Sequence, residues 1–103
     1  MNRGTSMLTG KQKRHLRSLA HHVDPIFQVG KGGVNEHLIR HINEAIEVRE
    51  LIKITVLNNS GEDRQEVGAE LSEKSGAELV QVIGKIVVLY KESRDNKKIE
   101  LPR

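Results

Sequence analysis

Leu79-Val80-Gln81-Val82-Ile83 and Ile86-Val87-Val88-Leu89-Tyr90 are two almost wholly apolar runs separated only by Gly84-Lys85. A two-residue link with glycine first suits a type II′ turn, so the pair predicts an antiparallel hairpin. Because nearly every position is apolar, the hairpin should be buried on both faces or lie centrally in a sheet.

The residues before the hairpin alternate between helical and strand signals. Thr9-Gly10-Lys11-Gln12 fits a capping box, in which the threonine hydroxyl and the glutamine amide satisfy each other's orphan backbone donors. The helix it opens has Leu16, Leu19, Ala20 and Val23 on one stripe and stops at Asp24-Pro25, where proline pushes its neighbour away from helical dihedrals. Ile26 to Val29 then reads as a short strand, Asn35 as the N-cap of a second helix, and Leu51 to Leu57 as a further strand. Asn58-Asn59-Ser60-Gly61 is a turn cluster. Ser60 is the expected cap of a third helix with Glu62 and Asp63 in its first turn, ending at Gly76. The predicted fold class is α/β, with element order α-β-α-β-α-β-β. Glu92 to Arg103 is charged, and with only Ile99 and Leu101 as apolar anchors it reads as a tail.

At 103 residues the chain has room for one domain. The single domain is placed at 7–101, with 92–103 as a charged C-terminal segment and 1–6 as a leader, either an expression remnant or a native tail ahead of the second methionine. The absence of cysteine excludes disulfides, thiolate metal sites and cysteine nucleophiles, and fits a reducing, cytoplasmic setting. No apolar run approaches the ~18 residues of a membrane span, so no membrane partner is expected.

A net charge of +3 conceals an asymmetry. Residues 1–33 carry six basic side chains (Arg3, Lys11, Lys13, Arg14, Arg17 and Lys31) against Asp24 alone, a balance of +5, whereas the remainder carries 11 basic and 13 acidic residues, a balance of −2. Positive potential gathered in one third of a chain points to a polyanionic partner. Gly30-Lys31-Gly32-Gly33 lies inside that third, between a strand and a helix start. Glycines there let a phosphate approach the main chain, the exposed N–H groups and the helix dipole favour negative charge, and Lys31 adds a mobile cation. A tight strand-to-helix turn also uses glycine, so the loop gains its meaning from the acid-free helix upstream, with Lys11, Lys13, Arg14 and Arg17.

Other chemistries find less support. The loop lacks both the phosphate-binding lysine motif of nucleotide hydrolases and the glycine fingerprint of dinucleotide folds, so no small-molecule substrate or cofactor is expected. His37 and His41 have a zinc-compatible spacing but no third ligand, and surface histidines are the expected reading, with no metal. No motif assembles a nucleophile, base and oxyanion site, so the chain reads as a non-enzyme. Phe27 and Tyr90 are the only aromatic residues, which disfavours an aromatic stacking sheet and leaves phosphate contacts and shape to dominate.

Leu8-Thr9-Gly10-Lys11-Gln12, Gln28-Val29-Gly30-Lys31-Gly32-Gly33 and Glu78-Leu79-Val80-Gln81-Val82-Ile83-Gly84-Lys85 together resemble the CRM domain of chloroplast RNA splicing and ribosome maturation proteins, above all its stand-alone bacterial YhbY-like members. The resemblance spans about residues 7–101. It implies a four-stranded mixed sheet with helices packed on it, similar in shape to the C-terminal domain of initiation factor three. It also implies RNA binding through the GxxG loop, Gly30 to Gly33, with the adjacent basic surface, and association with ribosomal RNA in precursors of the large subunit. The expected actor is a monomeric assembly factor. Two alternatives stand beside it: a regulator of messenger or other structured RNA, and a protein-interaction module using the acidic third helix with Glu62, Asp63, Glu66, Glu70 and Glu73.

Overall fold

The computed structural model describes residues 8–30, 32–57 and 63–102. Its elements are α1 (Gly10–Ala20), β1 (Pro25–Val29), α2 (Glu36–Arg49), β2 (Leu51–Val56), α3 (Arg64–Ser75), β3 (Glu78–Ile83) and β4 (Ile86–Tyr90), in the predicted order. The four strands form one mixed sheet ordered β1-β2-β4-β3, with β1 parallel to β2 and the other pairs antiparallel. The hairpin is therefore half central: β4 lies between β2 and β3, while β3 is an edge strand that leaves Ile83 exposed. Gly84 has φ +56, as the first turn position of a type II′ link requires.

Alternation along the strands sends side chains to two cores on opposite faces. Ile52, Ile54, Val56, Val87 and Leu89 meet Ile42 and Ile46 of α2 and Val67 and Leu71 of α3 on one face. Leu51, Val80, Val88 and Tyr90 meet Leu16 and Ala20 of α1 on the other. Helix α3 comes close to the sheet because residue 68 is glycine, where an added Cβ would lie 3.1 Å from Val82 and 3.3 Å from Leu79.

The helix ends follow local side-chain chemistry. Thr9 Oγ1 accepts from the Gln12 N–H at 3.1 Å and Gln12 Oε1 accepts from the Thr9 N–H at 3.0 Å, completing the capping box. Asn35 Oδ1 accepts from the Leu38 N–H, and Gly76 closes α3 at φ +78. The third helix starts later than expected. Asp63, not Ser60, is its cap, because the Asp63 carboxylate accepts from the Gln65 N–H at 2.7 Å. Ser60 and Glu62 lie outside the described residues.

The C-terminal segment is docked and does not trail away. Glu50, completely buried at the end of α2, accepts the backbone N–H groups of Ser93, Lys98 and Ile99 at 2.7, 2.8 and 2.7 Å. Glu47 accepts from the Ser93 hydroxyl and from the Arg94 and Asp95 backbone. Ile99 and Leu101 pack into the core beneath α1, and Gln12 Nε2 donates to the Pro102 carbonyl at 2.9 Å. Two apolar anchors suffice because two carboxylates hold the intervening main chain.

Candidate nucleic-acid interface

Parallel pairing delivers the C-terminal ends of β1 and β2 to one end of the sheet, and the antiparallel β3–β4 turn arrives there too. The Leu57 N–H donates to the Val29 carbonyl at 2.9 Å, and the Val56 N–H to the Lys85 carbonyl at 2.7 Å. The glycine loop thus sits just beyond the carboxyl ends of two parallel strands, where open α/β sheets place their ligand sites.

Within the loop the Gly33 N–H donates to the Gly30 carbonyl at 2.9 Å, and Gly33 adopts φ +68, a left-handed conformation that side chains with a Cβ occupy at a cost. A Cβ on Gly32 or Gly33 would meet nothing within 4 Å, and Gly32 is exposed. No neighbour crowds these two glycines, and the main chain there lies just ahead of α2. Lys31 lies outside the described residues.

The four basic residues of α1 occupy a different place. Lys11, Arg14 and Arg17 are exposed and Lys13 is half-buried. Leu16 and Ala20 fix the helix against Leu51, Val80, Val88 and Tyr90, on the face opposite α2. Leu51 starts β2 and Tyr90 ends β4, at the end of the sheet away from the loop, while Val88 lies mid-strand and Ile86, at the loop end, packs against the same cluster. The loop leads into α2 on one face of the sheet, whereas α1 packs on the other. Between them the α1 face of β1 and β2 presents Gln28, Lys53 and Thr55, aligned by the register Gln28↔Thr55 and by Lys53 opposite Val88. Lys53, half-buried, was overlooked in the sequence; its signal is a lone lysine between Ile52 and Ile54 in a strand otherwise apolar or uncharged.

A second group beside the loop also escaped sequence reasoning. Phe27 of β1 stacks on His41 of α2, with ring centroids 6.4 Å apart and planes inclined by 18°, and His37 meets His41 edge-on at 5.1 Å. Both histidines are exposed. Among the described residues no three His, Cys, Asp or Glu side chains are grouped to hold a metal ion. No helix among them is long and apolar enough to cross a membrane. On α3, Glu70 pairs with Lys74 at 2.9 Å and holds the lysine above its ordinary pKa, so part of the acidic face is neutralised within the helix.

A mixed four-stranded sheet covered by helices on both faces, with a GxxG loop at the carboxyl end of its parallel pair, defines a small α/β module. Residues 8–91 match the CRS1/YhbY (CRM) domain, and the chain belongs to that family. It is 62% identical over 96 residues to the probable RNA-binding protein YqeI of Bacillus subtilis, covering 93% of this chain and all of that one. It is 38% identical over 96 residues to an RNA-binding protein of Haemophilus influenzae, covering 93% and 96%. The solution structure of SAV1595 from Staphylococcus aureus superposes with a TM-score of 0.79 at 60% identity, covering 93% of this chain and all of that one. The match to the CRM family with bacterial relatives of similar length, and the four-stranded mixed sheet, agree with what the resemblance implied.

Proposed function

We propose that the chain is a non-catalytic, cytoplasmic RNA-binding protein that acts as a monomer on ribosomal RNA of the large-subunit precursor during assembly. The observation that carries the reading is the bare glycine main chain at the start of α2, open to solvent at the carboxyl end of the parallel strands. Relatives of similar length, 62% and 38% identical and named as RNA-binding proteins, support the choice of RNA as the polyanion. Gly30 to Gly33 and Lys31 receive one stretch of phosphates. Lys11, Lys13, Arg14 and Arg17 receive another, the strand passing over the Gln28, Lys53 and Thr55 face between them.

Affinity on this reading is mainly electrostatic. With about four to six phosphate contacts and about 0.7 units of slope per contact on single-stranded RNA, log affinity falls against log salt with a slope of about −3 to −4. A slope near zero in titrations at several salt concentrations contradicts phosphate gripping. The ribosomal assignment is tested by fractionating cell lysate on a sucrose gradient. Migration with pre-large-subunit particles is the expected result; migration with other RNA points to a regulator, and migration with protein alone to docking through α3.

A further inference from the structure

We propose that His37 and His41, backed by Phe27, form a stacking seat for an unpaired RNA base next to the phosphates held by the glycine loop. The inference rests on the RNA-binding reading and gives that site a base-contacting part.

The geometry supplies what a base requires. His37 is the second residue of α2, four positions after Gly33, and His41 follows one turn, about 6 Å, along the helix. A nucleotide whose phosphate lies in the loop therefore has its base within reach of these rings. Phe27 supports His41 from beneath: it belongs to the edge strand β1 and packs against the core, so the ledge is anchored at one end and exposed at the other. His37 meets His41 edge-on, with the two rings inclined at 61°, and both residues are exposed. The charged residues of α2 do not block it. Glu36, Arg40 and Glu44 line the groove that α2 shares with Lys74 of α3, leaving the histidines on the β1 side.

Stacking on a ring face is tolerant of base identity, since every base has a π-face. The seat therefore predicts a preference for unpaired over paired nucleotides with little base selectivity. The seat adds a base contact to the phosphate and shape recognition that is expected to dominate.

The test uses the full chain with two probes, a transcript of large-subunit ribosomal RNA and a 20-nucleotide adenosine oligomer. Changing His37→Ala and His41→Ala together should weaken binding by about tenfold, within what base–aromatic stacking contributes, and leave the salt slope unchanged. His41→Phe should stay within about threefold of the unaltered protein, because a phenyl ring keeps the face and loses only the polar edge. Both histidines are exposed, so melting should be native in every variant. Unchanged affinity in the double alanine variant overturns the seat. So does equal loss in the alanine and phenylalanine variants with a shallower salt slope, which marks a polar phosphate contact. Failure of the unaltered protein to bind either probe removes the RNA-binding reading itself, a different outcome from loss of the seat.

Discussion

Exchanging Lys31→Asp and Gly32→Asp together is expected to reduce RNA affinity at least tenfold while the protein melts as before. The fold should be indifferent for a local reason. A Cβ at Gly32 meets no heavy atom within 4 Å, and among the described residues of the loop the left-handed one is Gly33, which the exchange leaves alone. The site should not be indifferent. Two negative charges enter where a phosphate has to sit, and one charge-assisted contact is lost; together these exceed the ~1.4 kcal/mol that corresponds to tenfold. Circular dichroism and RNA titration on the same preparation separate the two effects. Native melting with unchanged affinity shows that the glycines only make a turn. Gly33→Ala serves as a contrast, since it adds no charge but forces a Cβ into φ +68, costing stability by ~1–2 kcal/mol.

Glu50→Ala is expected to be strongly destabilising, at about 3–5 kcal/mol and a drop in melting temperature of roughly 10–20 °C or more. The carboxylate is fully buried and accepts three backbone N–H groups from the C-terminal segment; its loss leaves them unsatisfied or frees Ile99 and Leu101 from the core. Glu50 also holds φ +67, a backbone that favours glycine, so the position keeps glutamate against its conformational preference. Glu50→Gly should therefore be less harmful than Glu50→Ala by about 1 kcal/mol, an order opposite to the usual helix preference. Equal or reversed stabilities in thermal melts contradict this account of the segment.

The same carboxylate gives a pH dependence of definite sign. Burial pushes its pKa up, but the Ser93, Lys98 and Ile99 N–H groups, aided by the charge of Lys97, outweigh burial and hold it below the ordinary glutamate value. Glu47 is lowered too, first by the Ser93 hydroxyl and then by the Asp95 backbone. A carboxylate depressed in the folded state contributes stability that is fully present above its unfolded value, 4.5, and is lost as pH falls through the folded value. The Glu50→Ala penalty should accordingly shrink in acid melts below pH 4.5 and be constant from there to neutrality.

What the sequence made legible was local. Thr9 with Gln12, Asn35 and Gly76 announced helix ends because each acts on backbone groups within a few residues of itself. Gly84 announced the hairpin for the same reason. Features made by distant residues were hidden. Glu50 reads as one more charge at the end of α2, and only the arrival of Ser93 to Ile99, more than 40 residues later, makes it a buried acceptor. Phe27 and His41 are 14 positions apart and become neighbours only because β1 and α2 fold against each other. That α1 packs on the face opposite α2 was equally invisible. The charge asymmetry remained correct as a count but said nothing about which face each charge would occupy.

The central claim is that RNA lies against the glycine-loop end of the sheet, and ultraviolet crosslinking in living cells, followed by peptide mapping and sequencing of the attached RNA, tests it most directly. The account predicts crosslinked peptides from residues 24–41 and from α1, joined to precursor RNA of the large ribosomal subunit. Crosslinks confined to α3, or no RNA attached at all, would contradict it.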